Sequence, residues 1–441
     1  MGAGDGTVLG TTKVVDHGPA ASRWNMVILS EGYRASEISQ FHADAQNFIK
    51  GLYATPPFNT LWCRMNIFRV DVTSTDSGAD DPATCGDGST GTGATVRTFF
   101  DATFCGDGAT RRLLTVDSTL AQNIARAQVP QFNMAMVIVN TPVYGGSGGA
   151  VATFSTNAAS AQIGLHEMGH TAFQFTDEYG DIINTYTGGE PLAPNATIDT
   201  NRATNKWRAL IQSATPMPTR NNPNCTTEDP GPSPVPSGTV GTFEGAARAH
   251  CGCFRAEFNC KMRTLAAPYC AVCRQTIIQT LSPYVGPIDN DLTAFSGGTP
   301  AAPGSALDGY SQSDNSQHVN FIDANGHVHE LYRNPAAQWL DNDLTSFAFA
   351  GGTPAAAGSA LDGYSQSDNS QYVNFIDVNG HVHALFRSPT AEWLDNDLTA
   401  CSGGTPAAAG SALDGYSQSD NSQHVNFIDA NGHVHELYSQ P

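Results

Sequence analysis

The sequence predicts an α/β (α+β) domain over residues 1–283, a short linker at 284–288, and an all-β repeat domain over residues 289–441. Three observations predict this. Apolar runs of strand length alternate with helix-periodic segments in the first part, a unit of about 50 residues recurs in the second, and the charge shifts abruptly between them.

Asn25-Met26-Val27-Ile28-Leu29-Ser30 is a nearly continuous apolar run and reads as a buried strand. From Ser36 to Tyr53, the apolar residues Ile38, Phe41, Ala45, Phe48 and Leu52 recur in steps of three and four. That spacing marks one face of a helix, with Ser36 as its expected N-cap. Residues 66–72 and 134–139 are further strands. Residues 180–243, rich in Gly, Pro, Asn and Thr, read as long loops, and a helix over 271–281 closes the domain.

The repeat begins Asp289-Asn290-Asp291-Leu292-Thr293 and returns at Asp341 and Asp395, 52 and 54 residues on. Its copies span 289–340, 341–394 and 395–441. Each contains two alternating runs around an Asn-Gly pair (Asn325-Gly326, Asn379-Gly380, Asn431-Gly432), a strong hairpin signal. Such a unit in series reads as β-propeller blades. Three blades fall short of the usual ring of about four to eight, so this module is expected either to pair with a second copy, as a homodimer, or to be stunted.

From Asp289 onward there are 18 acidic residues against Arg333 and Arg387, a net of −16, so the first 288 residues carry only −4 of the chain's −20. Neither part has the basic patch that nucleic acid or an anionic membrane would need. No apolar run reaches the roughly 20 residues of a membrane span. Ten cysteines, nine of them before residue 288, suit an oxidising compartment. A secreted protein is therefore expected. Met-Gly-Ala-Gly-Asp-Gly is no signal peptide, so its leader would already be trimmed.

The chemistry lies in residues 166–170, His-Glu-Met-Gly-His. On a helix, residues four apart project from one face, so His166 and His170 can reach one zinc ion at about 2.0–2.1 Å. Glu167 then stands beside the ion, where it can act as the catalytic base. The bare pattern also describes two buried histidines on an ordinary helix. Two features favour the metal: only five histidines (His17, His42, His166, His170, His250) precede residue 288, and the motif runs straight into Asp177-Glu178-Tyr179. A continued helix would carry Asp177 about 10 Å beyond His170, so the helix must stop near Phe175 and the chain fold back. Asp177 is the first choice for third ligand and Glu178 the second, ahead of His250 and Glu190.

This motif with Asp-Glu-Tyr resembles the immunoglobulin A peptidase family of zinc metallopeptidases, relatives of the metzincins. The likeness extends over about residues 20–282. It takes in Ile28-Leu29-Ser30-Glu31-Gly32-Tyr33, Pro57-Phe58, Ser77-Gly78-Ala79-Asp80, Phe243-Glu244-Gly245-Ala246, Phe254-Arg255, Cys260-Lys261-Met262 and Cys270-x-x-Cys273. The resemblance implies a metzincin-like zinc endopeptidase with two histidines and an acidic residue at the metal; it does not specify immunoglobulin A as substrate. Metzincins set a methionine beneath the metal, and Met262 is the candidate; the other reading is a core methionine. Phe173 and Thr176 stand where the metzincin motif has its glycine and third histidine, so the turn should differ in shape.

Upstream, Gly148 to Ser155 is expected as an edge strand holding extended substrate, with Gly148 and Ala150 in contact. Tyr179 is a candidate oxyanion donor. Cys270-x-x-Cys273 with Cys251, Cys253 and Cys260 has the makings of a second zinc site, but the compartment favours disulfides. The repeats resemble blades of fucose-binding and related lectin propellers. Trp339, Trp393, His318, Glu330, His424 and Glu436 are their candidate glycan contacts; the middle copy has Tyr372 and Ala384 instead. The reading is a secreted zinc endopeptidase acting on protein or glycoprotein, with repeats for glycan or surface targeting. The alternative is a secreted carbohydrate-binding protein with an inactive peptidase-like domain.

Overall fold

The computed structural model describes residues 2–284, 286 and 290–439. The chain divides into two compact units, Met1–Ile288 and Asp289–Pro441. Of the expected linker at 284–288, residues 285, 287 and 288 lie outside the described residues.

The first unit is built on a mixed six-stranded sheet. Its strands are β1 (Gly6–Val15), β2 (Trp24–Glu31), β3 (Met65–Ser74), β4 (Met134–Val139), β5 (Gly146–Ser147) and β6 (Ala152–Ser155), in the spatial order β1-β3-β2-β4-β6-β5. β3, β2, β4 and β6 run parallel, and β1 and β5 pair antiparallel at the two ends. Helix α1 (Ile38–Tyr53) links β2 to β3, α2 (Phe58–Leu61) follows it, and α3 (Ser118–Gln128) precedes β4. Ser36 is not the N-cap. It lies in a preceding 3-10 turn, Ala35–Glu37, in which Glu37 caps the backbone of Arg34.

Strand alternation splits the core into two layers. Met26, Ile28, Met134, Met136 and Ile138 face Phe41, Phe48 and Leu52 of α1 on one side. Val27, Leu29, Ala135, Val137 and Val139 face Ala121 and Ala125 of α3 on the other. The near-continuous apolar runs in β2 and β4 are thus those of strands covered on both faces.

Helix α4 (Ser160–Phe173) follows β6 and packs on the α1 side of the sheet. Beyond it come β7 (Gly180–Thr185), β8 (Ala196–Thr197), β9 (Phe243–Ala246) and β10 (Arg248–Arg255), which form a small second sheet around β10. The stretch 180–243 is therefore mostly loop, as composition predicts, but β7 and β8 tie it to β10. Helix α5 (Ala271–Leu281) ends the unit with the bounds the sequence predicts. Disulfides join Cys85 to Cys105 and Cys225 to Cys251.

In the second unit each repeat forms one antiparallel meander. Two have four strands and the last has three among the described residues. The first comprises Asp308–Ser311, Gln317–Ile322, Val328–Arg333 and Trp339–Asp343. Its hairpin is not a two-residue turn. Gly326, at φ 86°, ends a turn closed by Asp323, whose carboxylate accepts from the backbone of Asn325 and His327. Only glycine takes the left-handed position here, as in type I turns followed by a bulge.

Candidate active site

Helix α4 supplies the imidazoles. It stops at Phe173 because Gln174 adopts the left-handed conformation, φ 57°, and Phe175 N donates back to Gly169 O at 3.1 Å. The reversal thus occurs at Gln174, one residue after the position where a metzincin has glycine. Asn195 then clamps the outgoing chain: its carboxamide accepts from Thr176 N at 2.9 Å and donates to Thr176 O at 2.8 Å. Ala247 N holds Asp177 O at 2.8 Å. These bonds swing the Asp177 carboxylate back over the helix.

His166, His170 and Asp177 converge. The two Nε2 atoms lie 3.2 Å apart, and Asp177 Oδ1 sits 3.0 Å from the first and 3.3 Å from the second. His166 Nδ1 is 3.0 Å from Lys261 O, and His170 Nδ1 is 2.7 Å from Phe175 O. A carbonyl only accepts, so each Nδ1 carries the proton and each Nε2 aims a lone pair at the shared point. Ligand atoms bonded tetrahedrally at about 2.05 Å would stand about 3.3 Å apart, so the donor set fits a zinc-sized cation.

The electrostatics agree. Burial pulls His170 down, but the hydrogen bond and charge of Asp177, with Glu167, push it up to about 9. Burial alone would raise Asp177, yet its bonds to both histidines hold it well below the usual carboxylate range.

Glu167 is buried, and burial raises its pKa against the opposing pull of His166 and His170. It borders a cleft of about 490 Å³ lined also by Arg112, Tyr144, Gly146, Gly148, Tyr179 and Arg248. The glycines are there because nothing larger fits. A Cβ on Gly146 would lie 2.7 Å from Glu167 Oε1, and one on Gly148 would lie 2.3 Å from His170 Cβ. Beneath the helix, a Cβ on Gly169 would meet Met262 Sδ at 2.7 Å, and Met262 O accepts from Glu178 N at 2.8 Å. Met262 thus packs against α4 at Gly169, next to His170 in sequence.

The model of the family described as IgA Peptidase M64 matches residues 12–229 and 233–281. The chain belongs to the IgA Peptidase M64 family. That family is one of metallopeptidases. No curated protein matches the chain. Solved structures similar to it include AofleA from Arthrobotrys oligospora, at 15% identity over 35% of this chain and 43% of that one, TM-score 0.27. The six-bladed β-propeller lectin of Aleuria aurantia matches at 14% identity over 32% and 50%, TM-score 0.25. A fucose lectin from Kordia zhangzhouensis matches at 15% over 31% and 92%, TM-score 0.24. The chain spans half or less of the first two of these structures.

Within this IgA Peptidase M64 chain, several expected site residues fall elsewhere. Glu178 turns away from the histidines into a fully buried pocket with Cys260, Cys270 and Cys273, because successive residues after the reversal face opposite sides. His250 lies buried on β10, against Gly180, and Glu190 bonds Thr197, Ile198 and Lys206. Ala152–Ser155 is no edge: β6 is fully buried between β4 and β5, and the terminal strand is Gly146–Ser147. Gly148 lines the cleft, but the Ala150 carbonyl accepts from Gln122 Nε2, on the α3 side. Cys260, Cys270 and Cys273, where disulfides were expected, are unbridged, and Cys251 pairs with Cys225.

Tyr179 reaches the cleft, where burial and Asp177 raise its pKa and a hydrogen bond from Arg112 lowers it. Sequence reasoning missed Arg112 and Tyr144, whose hydroxyl is pushed up by burial and Glu167. Tyr144 precedes a glycine run, which is the one signal that marked it; Arg112 had none. Asn195 was equally invisible in a loop of mixed composition.

In the repeats, His318 and Glu330 are not free to meet a glycan. His318 is stacked 4.7 Å from Tyr310, its Nδ1 bonds Glu330 Oε1 at 2.7 Å, and both are about 2% exposed. Trp393 packs into the core with Leu344 and Leu361, leaving an edge on a concavity with Phe347 and Arg387. Trp339 lines a similar concavity with Phe295 and Arg333. His424 is buried against Tyr416 and bonds a half-exposed Glu436 at 2.9 Å.

Proposed function

We propose that the protein is a secreted zinc endopeptidase, with His166, His170 and Asp177 as the metal ligands and Glu167 as the general base. One observation carries this reading: two Nε2 lone pairs and one carboxylate oxygen meet within 3.0–3.3 Å at a cleft that Glu167 borders. When bound, zinc would supply Lewis acidity toward the scissile carbonyl. Glu167 takes the proton of the attacking water and returns it to the leaving amine. Burial raises its pKa, which makes it a stronger base than an ordinary carboxylate. Lys261 O and Phe175 O orient the rings, and Met262 supports the helix from below. Backbone around Gly146–Gly148 lies where an extended peptide can pair with it, and Tyr179, braced by Arg112, lies where a hydroxyl can donate to an oxyanion.

Two disulfides support export to an oxidising compartment. The repeats are read as a targeting module for glycans or surfaces, supported by the recurring concavities that pair an aromatic ring with Arg333 and Arg387, the two cations of that unit. The substrate is then a protein or glycoprotein. Glu167→Gln tests the reading against an inactive, purely carbohydrate-binding protein. Hydrolysis of a quenched peptide library should fall by about 10²–10⁴ while zinc content stays at wild-type level. A variant that cleaves at the wild-type rate, or a wild type that cleaves nothing when loaded with zinc, would end it.

A further inference from the structure

We propose a second, structural zinc site formed by Glu178, Cys260, Cys270 and Cys273, separate from the site of His166, His170 and Asp177. All four residues are buried, none more than 1% exposed. Their ligand atoms lie within 4.8 Å of one another. Cys260 Sγ is 3.8 Å from Cys273 Sγ, and Cys273 Sγ is 3.8 Å from Glu178 Oε1. A tetrahedron with zinc–sulfur bonds of about 2.3 Å has edges of about 3.8 Å, so the sulfur pair already stands at ligand spacing. It is too far apart for a disulfide, whose sulfurs bond at about 2.05 Å.

Backbone N–H groups already point at two of the sulfurs. Cys270 N donates to Cys260 Sγ at 3.3 Å and Cys273 N donates to Cys270 Sγ at 3.4 Å. Cys270 caps α5, so two of the sulfurs gather at a helix N-terminus, and buried Lys261 follows Cys260 in sequence. Glu178 provides the independent sign of a ligand. Its Oε1 accepts from Asn195 Nδ2 at 2.9 Å, yet its Oε2 is fully buried with no hydrogen-bond partner. An orphaned carboxylate oxygen in a dry interior is costly. A disulfide between any two of the cysteines would leave that oxygen unsatisfied and the third thiol idle. A dication satisfies all four groups at once.

The site also has a place in the architecture. Glu178 adjoins Asp177, Cys260 lies two residues before Met262, and Cys270 caps α5. One ion would therefore tie together the returning loop, the methionine turn and α5. It would act as a positioning element for Asp177, which lies on the opposite side of the same backbone.

Elemental analysis of the full chain, purified without chelator or reductant, should give two zinc ions per chain. His166→Ala with His170→Ala should leave one, and Cys260→Ser with Cys273→Ser should also leave one. Because the cysteine variant can fail to fold, zinc X-ray absorption on the wild type and on the histidine variant provides the deciding measurement. Sulfur scatterers at about 2.3 Å should be present in both, and should dominate in the histidine variant. Cobalt(II) in the histidine variant should likewise give a sulfur-to-metal charge-transfer band. Zinc with only nitrogen and oxygen neighbours, or a disulfide among Cys260, Cys270 and Cys273 in peptide maps of the unreduced protein, would overturn the proposal.

Discussion

Replacing Gly148 by alanine tests the geometry of the cleft without replacing a proposed ligand or base. The backbone there is not in the left-handed region, so alanine probes space alone. The new Cβ would stand 2.3 Å from His170 Cβ and 2.9 Å from Cγ and Cδ2, whereas ordinary contact begins at 3.4 Å. Something must retreat by about 1.1 Å, the difference between 3.4 and 2.3 Å. The ring is pinned through Nδ1 to Phe175 O, so it cannot rotate aside freely. Either His170 leaves its partners or the Gly146–Gly148 backbone leaves its place beside Glu167. A misplacement of about 1 Å at a reacting centre costs on the order of 10² in rate. Peptide hydrolysis measured as kcat/KM should therefore fall about 100-fold, with the far-ultraviolet circular dichroism unchanged. Gly189→Ala, where nothing lies within 4 Å of the added carbon, is the matched control and should leave activity intact. Activity of Gly148→Ala within about threefold of wild type would refute the steric argument.

Asp177→Ala should weaken zinc binding at the histidine site by at least about 100-fold in a chelator competition, and retention of that zinc at wild-type affinity would remove Asp177 as ligand. Glu31, fully buried and accepting from the backbone of Phe100 and Ala102, has its pKa raised by burial from 4.5 to about 7. The folded state then holds more protons than the unfolded one between those values. Stability should be highest below about pH 4.5 as far as this group is concerned, and should fall by roughly 3 kcal/mol as pH rises to 7. Glu31→Gln should abolish that slope in urea titrations; an unchanged slope would assign it to other groups. Trp339→Ala should weaken glycan capture by the full chain about 2- to 10-fold on an array, and equal capture would leave the concavity without a role.

Much of the first unit was legible because its signals are local. β2, β4 and α5 declare themselves by apolar runs and helical spacing, and the His-Glu-x-x-His pattern places two imidazoles on one face by helix geometry alone. The need for a chain reversal near Phe175 followed from a rise per residue. Ser36 failed as a cap because a 3-10 turn intervened, which depends on the bonds of Glu37. The edge strand was misplaced because β6 and β5 are both short, and only sheet order tells an interior strand from a terminal one.

By itself, then, the sequence determined the periodicities, the repeat, and the spacing of the histidines, all of which act over a few residues or one helical turn. Tertiary structure decided which of Asp177 and Glu178 faces the imidazoles. It also decided which cysteines bridge and which gather around a carboxylate, and which aromatic rings of the repeats are packed away. These outcomes depend on contacts between segments up to about 100 residues apart, such as Asp177 with Ala247 and Glu178 with Cys273. Chain connectivity leaves such pairings open until the core closes, because burial rewards any arrangement that removes apolar surface from water. Hydrogen bonding then selects among them, since a buried polar group left unpaired is too costly to keep.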